Sequence, residues 1–109
     1  MAKTAVKRHW ENVAALGCII TGQPAEIAHC HSGSISDELE PKFHPGMAQK
    51  QNDYLVLPLC PRLHRLGPES LDGGNVRDWE AKWGKQVDLL RDLSYRLGYD
   101  VFSLAGVDI

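Results

Sequence analysis

Five histidines and three cysteines hold most of the reactive side chains in this 109-residue chain, and they are unevenly placed. His29 and His31 lie two apart in Ala28-His29-Cys30-His31, so an extended segment sends both to one face. Cys60 and His64 lie four apart, so on a helix they share a face. A β-element presenting imidazole opposite a helix presenting imidazole suits metal-assisted phosphodiester hydrolysis. One neutral histidine takes a proton from water, while a divalent cation held by other side chains neutralises the scissile phosphate and the leaving oxygen. Taken alone, the pattern is weak: a single histidine near a strand end is more often a surface or core residue than a catalyst, and Cys60 with His64 fits a buried cysteine with a capping histidine.

The elements that must position these groups are readable from periodicity. Residues 4–16 predict a helix, because Val6, Trp10, Val13 and Ala14 fall at i, i+4, i+7 and i+8. Gly17 is placed to stop it. Cys18-Ile19-Ile20, the turn chemistry of Thr21-Gly22-Gln23-Pro24, and Ala25-Glu26-Ile27-Ala28-His29 predict a strand, a turn and a return strand. From Ser32 to Asn52 the chain is polar and broken by Gly33, Pro41, Pro45 and Gly46. A stretch of about twenty residues without periodicity is long for a small domain, and such loops are often functional. Tyr54-Leu55-Val56-Leu57 is a second apolar run, and Pro58 or Pro61 then suits the first turn of a short helix that carries Cys60 and His64 and ends near Gly67. After Gly73-Gly74-Asn75, an apolar stripe of Val76, Trp79, Trp83, Val87, Leu90, Leu93 and Leu97 predicts two helices interrupted at Gly84. Trp79 and Trp83 read as core packing and not as a base-stacking platform.

The expected product is one small α+β domain over residues 1–109, with a core at about 17–67 and flanking helices at about 4–16 and 75–97. Hydrophobic residues make up 43% and charged residues 24%, as in an ordinary globular protein. A core that size is small, and a bound metal would help it hold together. No apolar run approaches the roughly 20 residues needed to span a bilayer, and the basic N-terminal residues lead into Trp10-Glu11-Asn12, which is no signal-peptide core. The odd count of three cysteines (Cys18, Cys30, Cys60) has no disulfide-framework spacing and favours a reducing cytoplasm. A net charge of −2 is mildly unfavourable for a nucleic-acid binder, although a site gripping a short stretch of backbone needs only a local positive patch.

Several segments together resemble small phage and prophage HNH (ββα-metal) nucleases, including the Ref-like recombination nucleases. The similar segments are 9–22, Ala25-Glu26-Ile27-Ala28-His29, Gly46-Met47-Ala48-Gln49-Lys50, Asn52-Asp53-Tyr54, Leu57-Pro58-Leu59-Cys60-Pro61-Arg62-Leu63-His64 and Trp79-Glu80-Ala81-Lys82-Trp83-Gly84, in the family's order. The resemblance implies a ββα-metal fold and a divalent-metal-dependent endonuclease cutting DNA with low sequence specificity in phage DNA metabolism or recombination. It implies that His29 is the general base and His64 a metal ligand. The middle motif position falls at Asn52 or Asp53, which would orient His29. Lys50, Arg62 and Arg65 become candidates for phosphate contact, which positions a duplex without reading its sequence.

The chain also departs from that family. Where relatives hold a structural zinc with two Cys-x-x-Cys knuckles, Thr21 and Leu63 stand at the second positions, so no four-cysteine zinc is expected and Cys18 and Cys60 are read as buried thiols. Ala28 occupies the position before the base that often supplies a metal ligand. A second ligand must then come from His31, Glu26, Asp53 or Asp72, and a carboxylate suits Mg2+ or Mn2+, with Zn2+ as the alternative. His9, beside Arg8, is expected to be exposed, and His44 lies in the long loop. The apolar tail at residues 101–107 is expected to pack on the domain or on a second copy of the chain. The competing reading is a degenerate ββα-metal module that binds nucleic acid or a protein partner without cutting.

Overall fold

A computed structural model describes residues 2–39 and 52–106. Helix α1 (Ala2–Ala15) is followed by strand β1 (Glu26–His29), α2 (Ser34–Glu38), strand β2 (Val56–Leu59), α3 (Pro61–His64), α4 (Val76–Trp83), α5 (Gln86–Leu97) and α6 (Val101–Ala105). The chain is a small α+β protein in which helices surround one antiparallel strand pair. The long-loop segment carrying His44 and Lys50 lies outside the described residues. Among those described, no helix is long and apolar enough to cross a membrane.

β1 pairs with β2 in the register Glu26↔Leu59, Ile27↔Pro58, Ala28↔Leu57 and His29↔Val56. This corrects the expected local pairing: Cys18-Ile19-Ile20 is not a strand. Gly17 and Gly22 adopt φ +78°, where glycine has no steric penalty, and close a tight turn. In it the Cys18 amide donates to the Gln23 carbonyl (2.7 Å) and the Gly22 amide to the Cys18 carbonyl (2.8 Å). The Ile19 amide donates to the Pro58 carbonyl (2.9 Å), so the segment leans on β2 without extending the ladder.

β2 is the centre of the core, and residues 55–60 are all buried. α1 packs on both strands and α5 on β2. Val13, Val87, Leu90 and Leu93 contribute fully buried side chains from the helical stripes predicted by periodicity. Asn75 caps α4 by accepting from the Asp78 amide (3.0 Å), and Asp100 caps α6 by accepting from the Phe102 amide (2.9 Å). Val101 and Phe102 are buried, with α6 packed on α5, so these two residues join the chain's own core while Leu104 stays exposed.

His9 is not exposed. It is 3% accessible, with Nε2 3.2 Å from the Tyr54 carbonyl and Nδ1 2.8 Å from the Tyr99 hydroxyl. A neutral ring satisfies both contacts, donating from Nε2 and accepting at Nδ1. Burial lowers its pKa, with the Tyr54 bond opposing. His9 thereby fastens α1 to the approach to β2 and to the end of α5.

Candidate functional site

Two imidazole–carboxylate groups flank the end of β1. In the first, His29 Nε2 donates to Asp53 Oδ1 at 3.0 Å. With Nε2–H committed to the carboxylate, Nδ1 is the basic nitrogen. Trp10 of α1 braces both partners: its indole meets the His29 ring edge-on at a centroid distance of 5.6 Å, and its Nε1 donates to the Asp53 carbonyl at 2.8 Å. Of the two residues the sequence left open, Asp53 reaches His29. Asn52 shapes the loop instead, accepting from the Tyr54 amide (2.9 Å) and donating to the Ala105 carbonyl (3.2 Å).

The second group joins β1, α3 and the turn before α4. His31 Nε2 lies 2.6 Å from Asp72 Oδ1, and His64 Nε2 lies 3.2 Å from Asp72 Oδ2. His64 Nδ1 in turn donates to Glu26 Oε1 at 2.8 Å. Asp72 is brought here by main-chain bonds, the Leu71 amide donating to the Leu63 carbonyl (2.8 Å) and the Asp72 amide to the His64 carbonyl (2.9 Å). The following Gly73-Gly74 makes that turn possible, since a Cβ on Gly74 would sit 2.1 Å from the Pro68 carbonyl oxygen.

Arg65 forks onto Glu26 through Nε and Nη2, both at 2.9 Å. The Arg65 guanidinium, with the His64 ring beside it, holds the Glu26 carboxyl down at about 2. Arg65, offered to phosphate by the family resemblance, is therefore engaged by a carboxylate; it and Arg62 are both exposed.

No family model, no curated protein and no solved structure matches this chain.

Among the described residues, no three His, Cys, Asp or Glu side chains are spaced as a ready-made cation cage; His31 and His64 each contact Asp72 directly. Their chemistry nonetheless fits a divalent metal. Two imidazole nitrogens converge on one carboxylate, and His64 has its other ring nitrogen held by Glu26, as metal-ligating histidines commonly do. Ala28 is fully buried and offers only a methyl. Strand alternation places Glu26 and Ala28 on one face of β1 and His29 on the other, so His29 departs from the face that carries the Glu26–His64 contact.

Cys18 and Cys60 are buried free thiols. Burial pushes the Cys18 thiol up, but hydrogen bonds from the Thr21 hydroxyl and from the amides of Thr21, Cys60 and Ile20 outweigh it and bring it down to about 7. Burial, with the Glu80 charge adding to it, pushes the Cys30 thiol up.

Sequence reasoning missed Glu80 and Gln86. Both are buried, and both interrupt apolar helical stripes: Glu80 falls four after Val76, and Gln86 four before Leu90 and seven before Leu93. A polar residue in such a stripe was the available signal.

Proposed function

We propose that this chain is a divalent-metal-dependent phosphodiesterase acting on DNA, of the HNH endonuclease type that its motif order resembles. The observation that carries the reading is the meeting of His31 and His64 on the Asp72 carboxylate, with the far nitrogen of His64 secured by Glu26. His31, His64 and Asp72 are the residues that would hold Mg2+ or Mn2+. Such an ion, when bound, neutralises charge on the scissile phosphate and on the leaving oxygen.

His29 supplies the base. Asp53 fixes its Nε2–H tautomer, leaves Nδ1 to accept a proton from water, and stabilises the imidazolium that results. Trp10 limits rotation of the ring by closing one of its edges. Glu26 has two roles: it orients His64, and it neutralises Arg65. Of the three candidates for backbone phosphate, Arg62 is the described one not held by Glu26, and Lys50 lies outside the described residues. A role in phage DNA metabolism or recombination belongs to the same proposal and rests on the resemblance alone.

The alternative, a non-cutting module that binds nucleic acid or a protein, is favoured by Ala28, which offers no ligand atom, by the capture of Arg65, and by the departure of His29 from the face of β1 that carries the Glu26–His64 contact. One assay separates them. Supercoiled plasmid is incubated with the protein and Mg2+ or Mn2+, beside a His29→Ala variant and a chelator control. Metal-dependent nicking that the variant loses supports the enzyme. Absence of nicking favours the module, and equal nicking by both proteins overturns the assignment of His29 as the base.

A further inference from the structure

β1 ends at His29, and the last amide bonded to the neighbouring strand region is that of Cys30, which donates to the Leu55 carbonyl at 3.1 Å. Among the described residues, no strand lies beside His31 to take its main-chain groups, yet its ring must stay aligned with Asp72. A side chain from α5 takes the place of that strand. Gln86 Oε1 accepts from the His31 amide at 2.8 Å, while Gln86 Nε2 donates to the carbonyls of His31 (3.2 Å) and Ser32 (2.9 Å). One carboxamide thus holds both polar main-chain groups of His31, which restrains the two backbone dihedrals that set the direction of its Cα–Cβ bond.

Gln86 is itself fixed. Fully buried, it donates its amide (2.9 Å) and Nε2 (3.1 Å) to Glu80 Oε2. Glu80 also accepts from the Ser34 hydroxyl at 2.5 Å and from the Ser34 amide at 3.0 Å. Gly33 is required beside it, because a Cβ there would stand 2.6 Å from Glu80 Oε1. A carboxylate with this many donors is costly to bury unless each bond is made, and each of these bonds is directed at the segment 31–34 or at the residue clamping it.

We propose that Gln86, anchored by Glu80, is a positioning residue that holds His31 against Asp72. The inference deepens the cation-site reading above, and its own test stands apart from catalysis. Gln86→Leu removes both ends of the carboxamide with an apolar side chain one atom shorter. Ring nitrogen shifts of the histidines, read through their carbon-bound protons by NMR, report whether each imidazole keeps one tautomer. In the variant the two His31 nitrogens are expected to move toward a common averaged shift, while those of His29, bonded to Asp53, stay as in the parent. Unchanged His31 shifts overturn the proposal, and so does joint averaging of His29 and His31, which marks general loosening. If the leucine variant does not fold, Glu80→Gln keeps the buried shape and turns one acceptor into a donor, and the same contrast decides. In the nicking assay the half-saturating Mn2+ concentration should rise by about tenfold or more, the usual effect of losing an outer partner of a ligand. An unchanged Mn2+ requirement argues against the clamp. A parent protein that does not nick at all removes the nuclease reading and leaves the nitrogen shifts to decide the clamp.

Discussion

Asp53→Asn tests the geometry around His29 with the least steric change. The substituted carboxamide retains an oxygen able to accept from His29 Nε2–H but lacks the negative charge that Asp53 places 3.0 Å from that nitrogen. A hydrogen bond to a charged group contributes about 1.5–3 kcal/mol and a neutral one about 1 kcal/mol. The imidazolium that proton abstraction would form therefore loses about 0.5–2 kcal/mol of stabilisation, which is roughly a 2- to 30-fold slower reaction. Stability should barely change. The side chains of His29 and Asp53 are 27% and 47% exposed, and pairs this open contribute under about 1 kcal/mol, or less than about 4 °C in melting temperature for a domain of this size. The assay is single-turnover nicking of supercoiled plasmid at saturating Mn2+, with a thermal melt of each protein. A variant that cuts at the parent's rate refutes the orienting role of Asp53. A variant that slows only because it melts far earlier refutes the separation of catalysis from folding.

Because burial lowers the pKa of His9, the unfolded chain takes up that proton first as pH falls. Stability should therefore decline once pH drops below about 6.5, by at most about 1.4 kcal/mol per pH unit for this one group, until the folded-state pKa is passed. Thermal melts across that range should show the decline in the parent and a shallower one in His9→Gln; equal slopes contradict it. Gly33→Ala forces a Cβ into Glu80 Oε1 and the Val76 methyl at a φ of +81°, which should cost about 2 kcal/mol or more and lower the melting temperature by about 8 °C. An unchanged melt overturns that packing. The ultraviolet thiolate signal of Cys18 should titrate with a midpoint of about 7, and Thr21→Val should move the midpoint upward by removing the hydroxyl donor; an unmoved midpoint contradicts the assigned hydrogen bonds.

The helices were legible because their information is local. The stripe through Val6, Trp10 and Val13, the break at Gly84 and the stripe through Val87, Leu90 and Leu93 each lie within a few turns of chain. The strand pairing was not local. Residues 18–20 have the composition of a strand and sit one turn away from β1, but Gly17 and Gly22 close them into a turn, and β1 pairs instead with the apolar run far along the chain. The same limit explains His9, whose partners Tyr54 and Tyr99 come from two distant segments, so neighbouring Arg8 gave a false indication of exposure. At the candidate site, the family resemblance brought His31, His64 and Asp72 forward as separate options, and the fold brings both histidines onto Asp72. Spacing could not choose between Asn52 and Asp53, because adjacent residues at a turn differ only in which way each side chain is sent. Gln86 acts through its carboxamide on main-chain groups, which leave no mark in the sequence.

The most direct test of the cation site is a Mn2+ titration followed by electron paramagnetic resonance, comparing the parent chain with His64→Ala and Asp72→Ala. The account predicts loss of the free-ion signal on binding to one site in the parent and a markedly weakened site in both variants. Parent protein that leaves the free Mn2+ signal intact, or variants that bind as the parent does, would contradict the assignment of His31, Asp72 and His64 to a metal.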